Sequence, residues 1–240
     1  MDFIAEGADR LIERVGSVVT EAERVLAAAK SGVRRQVDKA GGIDAAQHAV
    51  HGLSWLATTV EGIRQMQGWA SRLQGEDRFG EMEKLLLALA TAEYAAQISG
   101  GIPMSQGEII RPEAMGVERD VVRTFEDASA EMIAAGSAET VKARLAELIA
   151  EQQGATTFGD SGLDEMHAEI HEQMRKFSEA EVVPHAHEWH LKNGYIPMDI
   201  VQQVAELGVF GLTLPEEYGG MALGKESMCI VSEELSRGYI

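Results

Sequence analysis

Histidines crowd one stretch of this sequence. Five of its seven, His167, His171, His185, His187 and His190, fall within 24 residues. His167 and His171 stand four apart, which on a helix places both imidazoles on one face, a spacing able to hold a transition metal. Glu172 and Glu188 are acids nearby. Yet the helix-borne HExxH pattern is absent, since "HEQMR" and "HEWH" both break it. A polar helix face with half-exposed histidines accounts for the cluster better than a metal centre, and no metal ligand is assigned.

Four carboxylates stand out around the stretch "LTLPEEYGGMALG", residues 212 to 224: Glu216, Glu217, Glu233 and Glu234. A general base needs a pKa near the working pH, which burial or a close like charge provides. Neighbouring side chains on a helix point about 100° apart, so Glu233 and Glu234 cannot form a dyad with each other. Arg237 lies four after Glu233 and predicts an ion pair instead. Cys229 sits among Met228, Ile230 and Val231 with no activating base beside it, which predicts a small buried hydrophobe. Neither GxGxxG nor GxxxxGK[ST] occurs, so the commonest nucleotide cradles are missing. No catalytic residue is assigned.

The elements that must position these groups are helical. Aromatics are only 5% of the chain and prolines number five, while Ala, Leu, Glu, Gln, Met and Arg dominate, a helix-forming mixture. A formal charge of −18 opposes nucleic acid and anionic membrane as partners. Apolar runs are too short to span a bilayer, and the acidic, alternating N-terminus does not read as a signal peptide. A single cysteine excludes an internal disulfide and fits a reducing cytoplasm.

Along the chain, Ile4, Leu11, Val18 and Val25 recur every seven residues, with Ala8, Val15, Ala22 and Ala29 as a second series. Ile12, Val19 and Leu26 widen that stripe into the face of a bundle helix. Gly41 and Gly42 stop it, and Asp44 is a candidate cap for a second helix through Trp55, Leu56, Val60, Ile63 and Trp69 to about 73. A third helix, about 81–99, is apolar on most sides and therefore central. An irregular stretch to Pro112 follows. Helices about 117–135 and 139–152 come next, the latter with Ser137 placed to cap it. Residues 154–162, "GATTFGDSG", read as a linker. Beyond it Leu163, Met166, Ile170, Met174 and Phe177 line a helix that Pro184 interrupts, Pro197 starts a short helix ended by Gly208, and a last helix carries Met228, Val231 and Leu235 on one face. No strand run is evident. The domains expected are 1–153, a linker 154–162, and 163–240.

From about His167 to Ile240 the sequence resembles the N-terminal helical domain of the flavin-dependent acyl-CoA dehydrogenases. The resemblance rests on "MRKFSEAEVVPHAHEWH", "IPMDIVQQVAELGVFGLTLPEEYGG" and "SEELSRG", in the family's order and spacing. It implies an all-α chain: a helical bundle extension followed by that N-terminal helical domain, truncated before the family's β-sheet domain. In the family the "LPEEYGG" loop joins two helices that wall the acyl-CoA pocket, with Gly219 and Gly220 permitting unusual backbone angles. The resemblance further implies a parent enzyme that uses FAD to introduce an α,β double bond into a short-chain CoA thioester and passes electrons to an acceptor protein. Such enzymes are homo-oligomers. The long extension looks like the branch acting on methylsuccinyl-CoA. No residue matches the family's catalytic base or flavin contacts, so this piece alone is expected to be inactive and to hold no flavin. Val231 and Leu235 are the pocket-wall residues it implies. The competing expectation is a non-enzymatic helical module that self-associates through the stripe of the first helix.

Overall fold

The computed structural model describes residues 7–155 and 157–239. They divide into two compact units, one ending at Gly162 and one beginning at Leu163. The first contains α1 (Ala8–Ala40), α2 (Gln47–Gly75), α3 (Glu81–Gly100), β1 (Ile102–Ser105), β2 (Glu108–Ile110), α4 (Arg119–Gly136) and α5 (Glu139–Glu151). The second contains α6 (Glu165–Phe177), α7 (Val183–Leu191), α8 (Met198–Glu206) and α9 (Lys225–Gly238). Among the described residues the regular structure is helical apart from one small hairpin, as the resemblance implies.

In the first unit the seven-residue stripe becomes the core. Leu11, Val15, Val18, Val19, Ala22, Val25 and Ala29 are all buried, packed chiefly by α2 and α4, while Ile4 lies outside the described residues. Each large apolar side chain withdrawn from water stabilises the fold by about 1.5–3 kcal/mol. The stripe is thus covered by other helices of the same chain, so it is not a free surface for a second copy. The self-association expected of it is corrected on that ground. α3 is the central helix: Met82, Leu85, Leu87, Ala88, Ala92, Ala95 and Ile98 are buried between α1, α2, α4 and α5.

Close approach is set at Gly32. It sits in the interior of α1, where glycine costs about 1 kcal/mol relative to alanine. A Cβ there would lie 2.2 Å from the Met115 carbonyl oxygen, so the turn Pro112–Met115 can rest directly on the helix only because no side chain intervenes.

Several local expectations are corrected. The stretch after α3 is a hairpin, not irregular: β1 and β2 pair antiparallel with Ile102 opposite Ile110, and both side chains point into the core. Each strand has only three or four residues, too short for an alternating pattern to register in sequence. Asp44 lies within a 3₁₀ turn, Ile43–Ala46, and α2 begins at Gln47 without a side-chain cap. Ser137 ends α4, and α5 starts after Ala138, also uncapped by a side chain. Trp55 is at the surface, donating its indole N–H to His51 Nε2 at 2.9 Å.

Two variants test this packing. Val18→Asp, a charge in a site 1% exposed, should unfold the first unit by more than about 3 kcal/mol and leave no folded monomer; circular dichroism with sedimentation checks it. Gly32→Ala should cost about 1–3 kcal/mol in urea denaturation, the turn having to move off the helix.

Candidate functional site

The second unit is organised around a carboxylate out of water. Glu234 on α9 is fully buried, a position acids occupy only when paired. From α6, Arg175 meets it with two nitrogens, Nε to Oε2 at 3.2 Å and Nη2 to Oε1 at 3.0 Å. His171 Nε2 lies 2.9 Å from Oε1, and Arg237 reaches Oε2 at 3.2 Å from one turn further along α9. Arg237 also holds Glu179 at 3.2 Å. Burial by itself would raise the Glu234 pKa, but the hydrogen bonds and charge of Arg175, then Arg237 and His171, outweigh it and hold the carboxyl below its ordinary value. The group stays ionised. A carboxylate fixed in this state between cations is a poor proton acceptor, so it is not a general base.

This network positions the neighbouring residue. α6 packs on α9 through Glu234, and Leu235, one residue on, is turned about 100° away into an apolar cavity of about 210 Å³. Ile200, Val201 and Val204 of α8 line the opposite side, Ile196 and Phe210 come from the segments flanking α8, and Val182 and Tyr239 complete the wall. Val182 belongs to a π turn, Ser178–Val182, which passes into α7 with Val183 N–H bonded to the Ser178 carbonyl. Pro184 follows, without an N–H for the helical ladder, and the widened turn is the interruption expected there. Trp189 stacks with His185 at 5.7 Å and meets Tyr239 edge-on at 6.0 Å, bracing that side of the cavity.

The loop 212–224 fastens α8 to α9 through its own backbone. Pro215 leads a 3₁₀ turn, Glu216–Tyr218, and Gly219 ends it in the left-handed region at φ +79°. Met221 N–H then bonds to Gly211 O at 2.9 Å, Ala222 N–H to Leu214 O at 2.8 Å and Leu223 N–H to Leu212 O at 2.7 Å. The two glycines differ in purpose. Gly219 needs its backbone angle, whereas a Cβ on Gly220 would fall 2.1 Å from the Leu214 carbonyl oxygen.

The residues singled out in sequence divide sharply. Leu235 lines the cavity; Val231, 3% exposed, lies beside it in a core with Met174 and Leu212. Glu216 and Glu217 are exposed on the 3₁₀ turn and, among the described residues, face no partner group across the unit that would make a dyad. Arg237 pairs with Glu234 and not with Glu233, since the i,i+3 geometry carries it toward the buried acid. Cys229 is exposed and Met228 is 38% exposed: the buried face of α9 is Ser227, Ile230, Val231 and Glu234. Asp164 caps α6: its Oδ1 accepts the His167 backbone N–H at 2.8 Å and lies 2.8 Å from His167 Nδ1. Among the described residues no group of three or more His, Cys, Asp or Glu could hold a metal ion. Ile196, Phe210 and Tyr239, which lie outside regular helices, escaped sequence reasoning; the spacing of Ile200 and Val204 was the available signal.

The cavity does not suit a flavin. It is smaller than the ~300–1,000 Å³ usual for cofactor sites, and apart from the Tyr239 hydroxyl its lining offers nothing to bond ring nitrogens or phosphates. What it can do is shelter a small apolar group.

Residues 164–240 match the acyl-CoA dehydrogenase N-terminal domain family. The chain is 47% identical over 235 residues to (2S)-methylsuccinyl-CoA dehydrogenase of Cereibacter sphaeroides, a match covering 96% of this chain and 42% of that protein. It is 38% identical over 71 residues to glutaryl-CoA dehydrogenase of Desulfococcus multivorans, covering 29% of this chain and 18% of that protein. With isovaleryl-CoA dehydrogenase, mitochondrial, of Oryza sativa subsp. japonica, it shares 37% identity over 76 residues, 31% of this chain and 18% of that protein. The chain therefore spans under half the length of these relatives.

Glu234→Ala should cost about 2–3 kcal/mol by leaving Arg175 and His171 facing an empty site, with Glu234→Gln intermediate, read from urea melts. Because the folded pKa lies below the ordinary one, the contribution of Glu234 is complete above about pH 4.3 and disappears as pH falls through the folded value; melts of wild type and Glu234→Gln should converge in acid. Gly220→Ala should cost about 1–3 kcal/mol because a backbone oxygen cannot yield as a side chain would.

Proposed function

Because residues 164–240 match the acyl-CoA dehydrogenase N-terminal domain, we propose that the chain supplies the helical wall of the acyl site in an FAD-dependent dehydrogenase acting on a short-chain CoA thioester. The reaction removes hydrogen from the α and β carbons of the acyl group and passes the electrons, through FAD, to an acceptor protein. Neither base nor flavin contact is assigned to the residues present; Leu235 and its cavity meet the acyl portion, and Val231 supports Leu235 from the core. The enzyme assembles as a homo-oligomer.

One observation favours methylsuccinyl-CoA as the substrate. Similarity to the methylsuccinyl-CoA dehydrogenase runs through the whole helical bundle as well as the second unit, while the glutaryl- and isovaleryl-CoA dehydrogenase matches cover less than a third of the chain. Sequence shared across the first unit, which ends at Gly162, marks common architecture, and specificity is a difference of contacts built on that architecture.

The test is turnover. The chain joined to the remaining length that its curated relatives carry should yield a yellow protein that reduces a dye acceptor with methylsuccinyl-CoA at higher kcat/KM than with glutaryl- or isovaleryl-CoA. The 240 residues alone should purify colourless and inactive. Leu235→Ala in the long form should raise KM by about tenfold, the value of an apolar contact of this size, with less change in kcat. Equal kcat/KM for the three thioesters would overturn the substrate assignment; an unchanged KM in Leu235→Ala would overturn the wall assignment.

A further inference from the structure

We propose that residues 158–162 form a strap, fastened on the helical bundle by Asp160, which fixes the point at which the chain leaves the bundle. By composition the segment is a flexible connector. A free connector of nine such residues, 154–162, has an r.m.s. span of about 15–18 Å, a large volume of alternative positions. The structure removes that freedom at one residue. Asp160 uses every polar group it has. Its carboxylate receives Arg78 as a fork, Nε to Oδ2 at 2.8 Å and Nη2 to Oδ1 at 2.6 Å. Its N–H donates to Glu83 Oε1 at 2.8 Å, and its carbonyl accepts the Trp69 indole N–H at 2.9 Å. Oδ1 also accepts the Gly162 N–H at 2.9 Å, folding the strap back on itself.

The partners are themselves fixed, which distinguishes a fastening from a surface contact. Glu83 is 7% exposed, and its second oxygen accepts the Gly80 N–H at 3.0 Å, closing the first turn of α3. Trp69 packs edge-on against Phe79 at 6.0 Å. A bidentate arginine–carboxylate pair on a rigid base loses little side-chain entropy and is among the stronger polar contacts. Burial would raise the Asp160 pKa, but the Gly162 N–H and Arg78 hold it below the ordinary value, so the carboxylate is charged at neutral pH and the strap is fastened there. Three contacts come from separate parts of the bundle: α2, the turn before α3, and α3. None of them draws on the second unit or on the acyl site, so the strap stands whether or not the substrate assignment does.

Hydrogen exchange on the 240-residue chain tests the strap. In wild type the Asp160 and Gly162 amides, both bonded, should exchange more slowly than a free peptide, and Asp160→Asn and Arg78→Gln should each speed them by about tenfold or more, with core amides of α1 and α3 unchanged. With Trp55→Phe and Trp189→Phe leaving Trp69 alone, either variant should shift its emission to the red as the indole loses its carbonyl and meets water. Free-peptide exchange at residues 158–162 in wild type overturns the proposal. So does unchanged exchange in both variants, and so does loosening of α3 along with the strap, which would make Asp160 part of the bundle core.

Discussion

A carboxylate with no solvent contact must be paired and hydrogen-bonded, and the second unit is built around satisfying that demand for Glu234. Arg175, His171 and Arg237 come from two helices and converge on two oxygens. The geometry admits one rotation of α9 against α6, because any other would leave an ion buried and unpaired at a cost of several kcal/mol. Apolar contacts alone would tolerate small slips between the helices. The ionic network does not, and the cavity beside it inherits that definition through Leu235.

The two units therefore hold together by different means. The first has a continuous apolar core to which α1, α2, α3, α4 and α5 all contribute. In the second, Met174, Leu212 and Val231 form the buried cluster among the described residues, with partly buried neighbours around them. A unit of that size buries a smaller fraction of its surface, so directed interactions must contribute more. Glu234 and the main-chain bonds of residues 211–223 supply them. Many large apolar side chains of this unit remain outside its core, among them Leu191, Met198 and Phe210.

Helix positions in the first unit were legible because long periodic patterns average over local exceptions. The stripe of α1 predicted most of its buried face, with Ala8, Ile12 and Leu26 only partly buried at its edges, and the all-round apolar character of α3 predicted its central place. What was illegible was short or depended on partners distant in sequence. The hairpin has strands too brief to show alternation. Asp44 and Ser137 were good caps by residue type, but the helix starts lie elsewhere. On α9, the pattern Met228, Val231, Leu235 caught Val231 but missed Ser227, Ile230 and Glu234 on the buried side, because Glu234 looks like a surface residue until Arg175, 59 positions earlier, is brought to it. Cys229 was misplaced for the same reason. The cavity was half legible: Ile200 and Val204 repeat at helical spacing, while Phe210 and Tyr239 arrive from segments without periodicity.

The loop after α8 holds its shape through main-chain bonds, and its outward side chains have no part in them. Tyr218 is 74% exposed, and Glu216 and Glu217 face solvent beside it. Shape and chemistry are thereby uncoupled within one short segment. Positions 216 to 218 are open to new side chains, a spectroscopic label or a crosslinker among them, placed on a turn held by its own backbone without disturbing the two glycines that set its course.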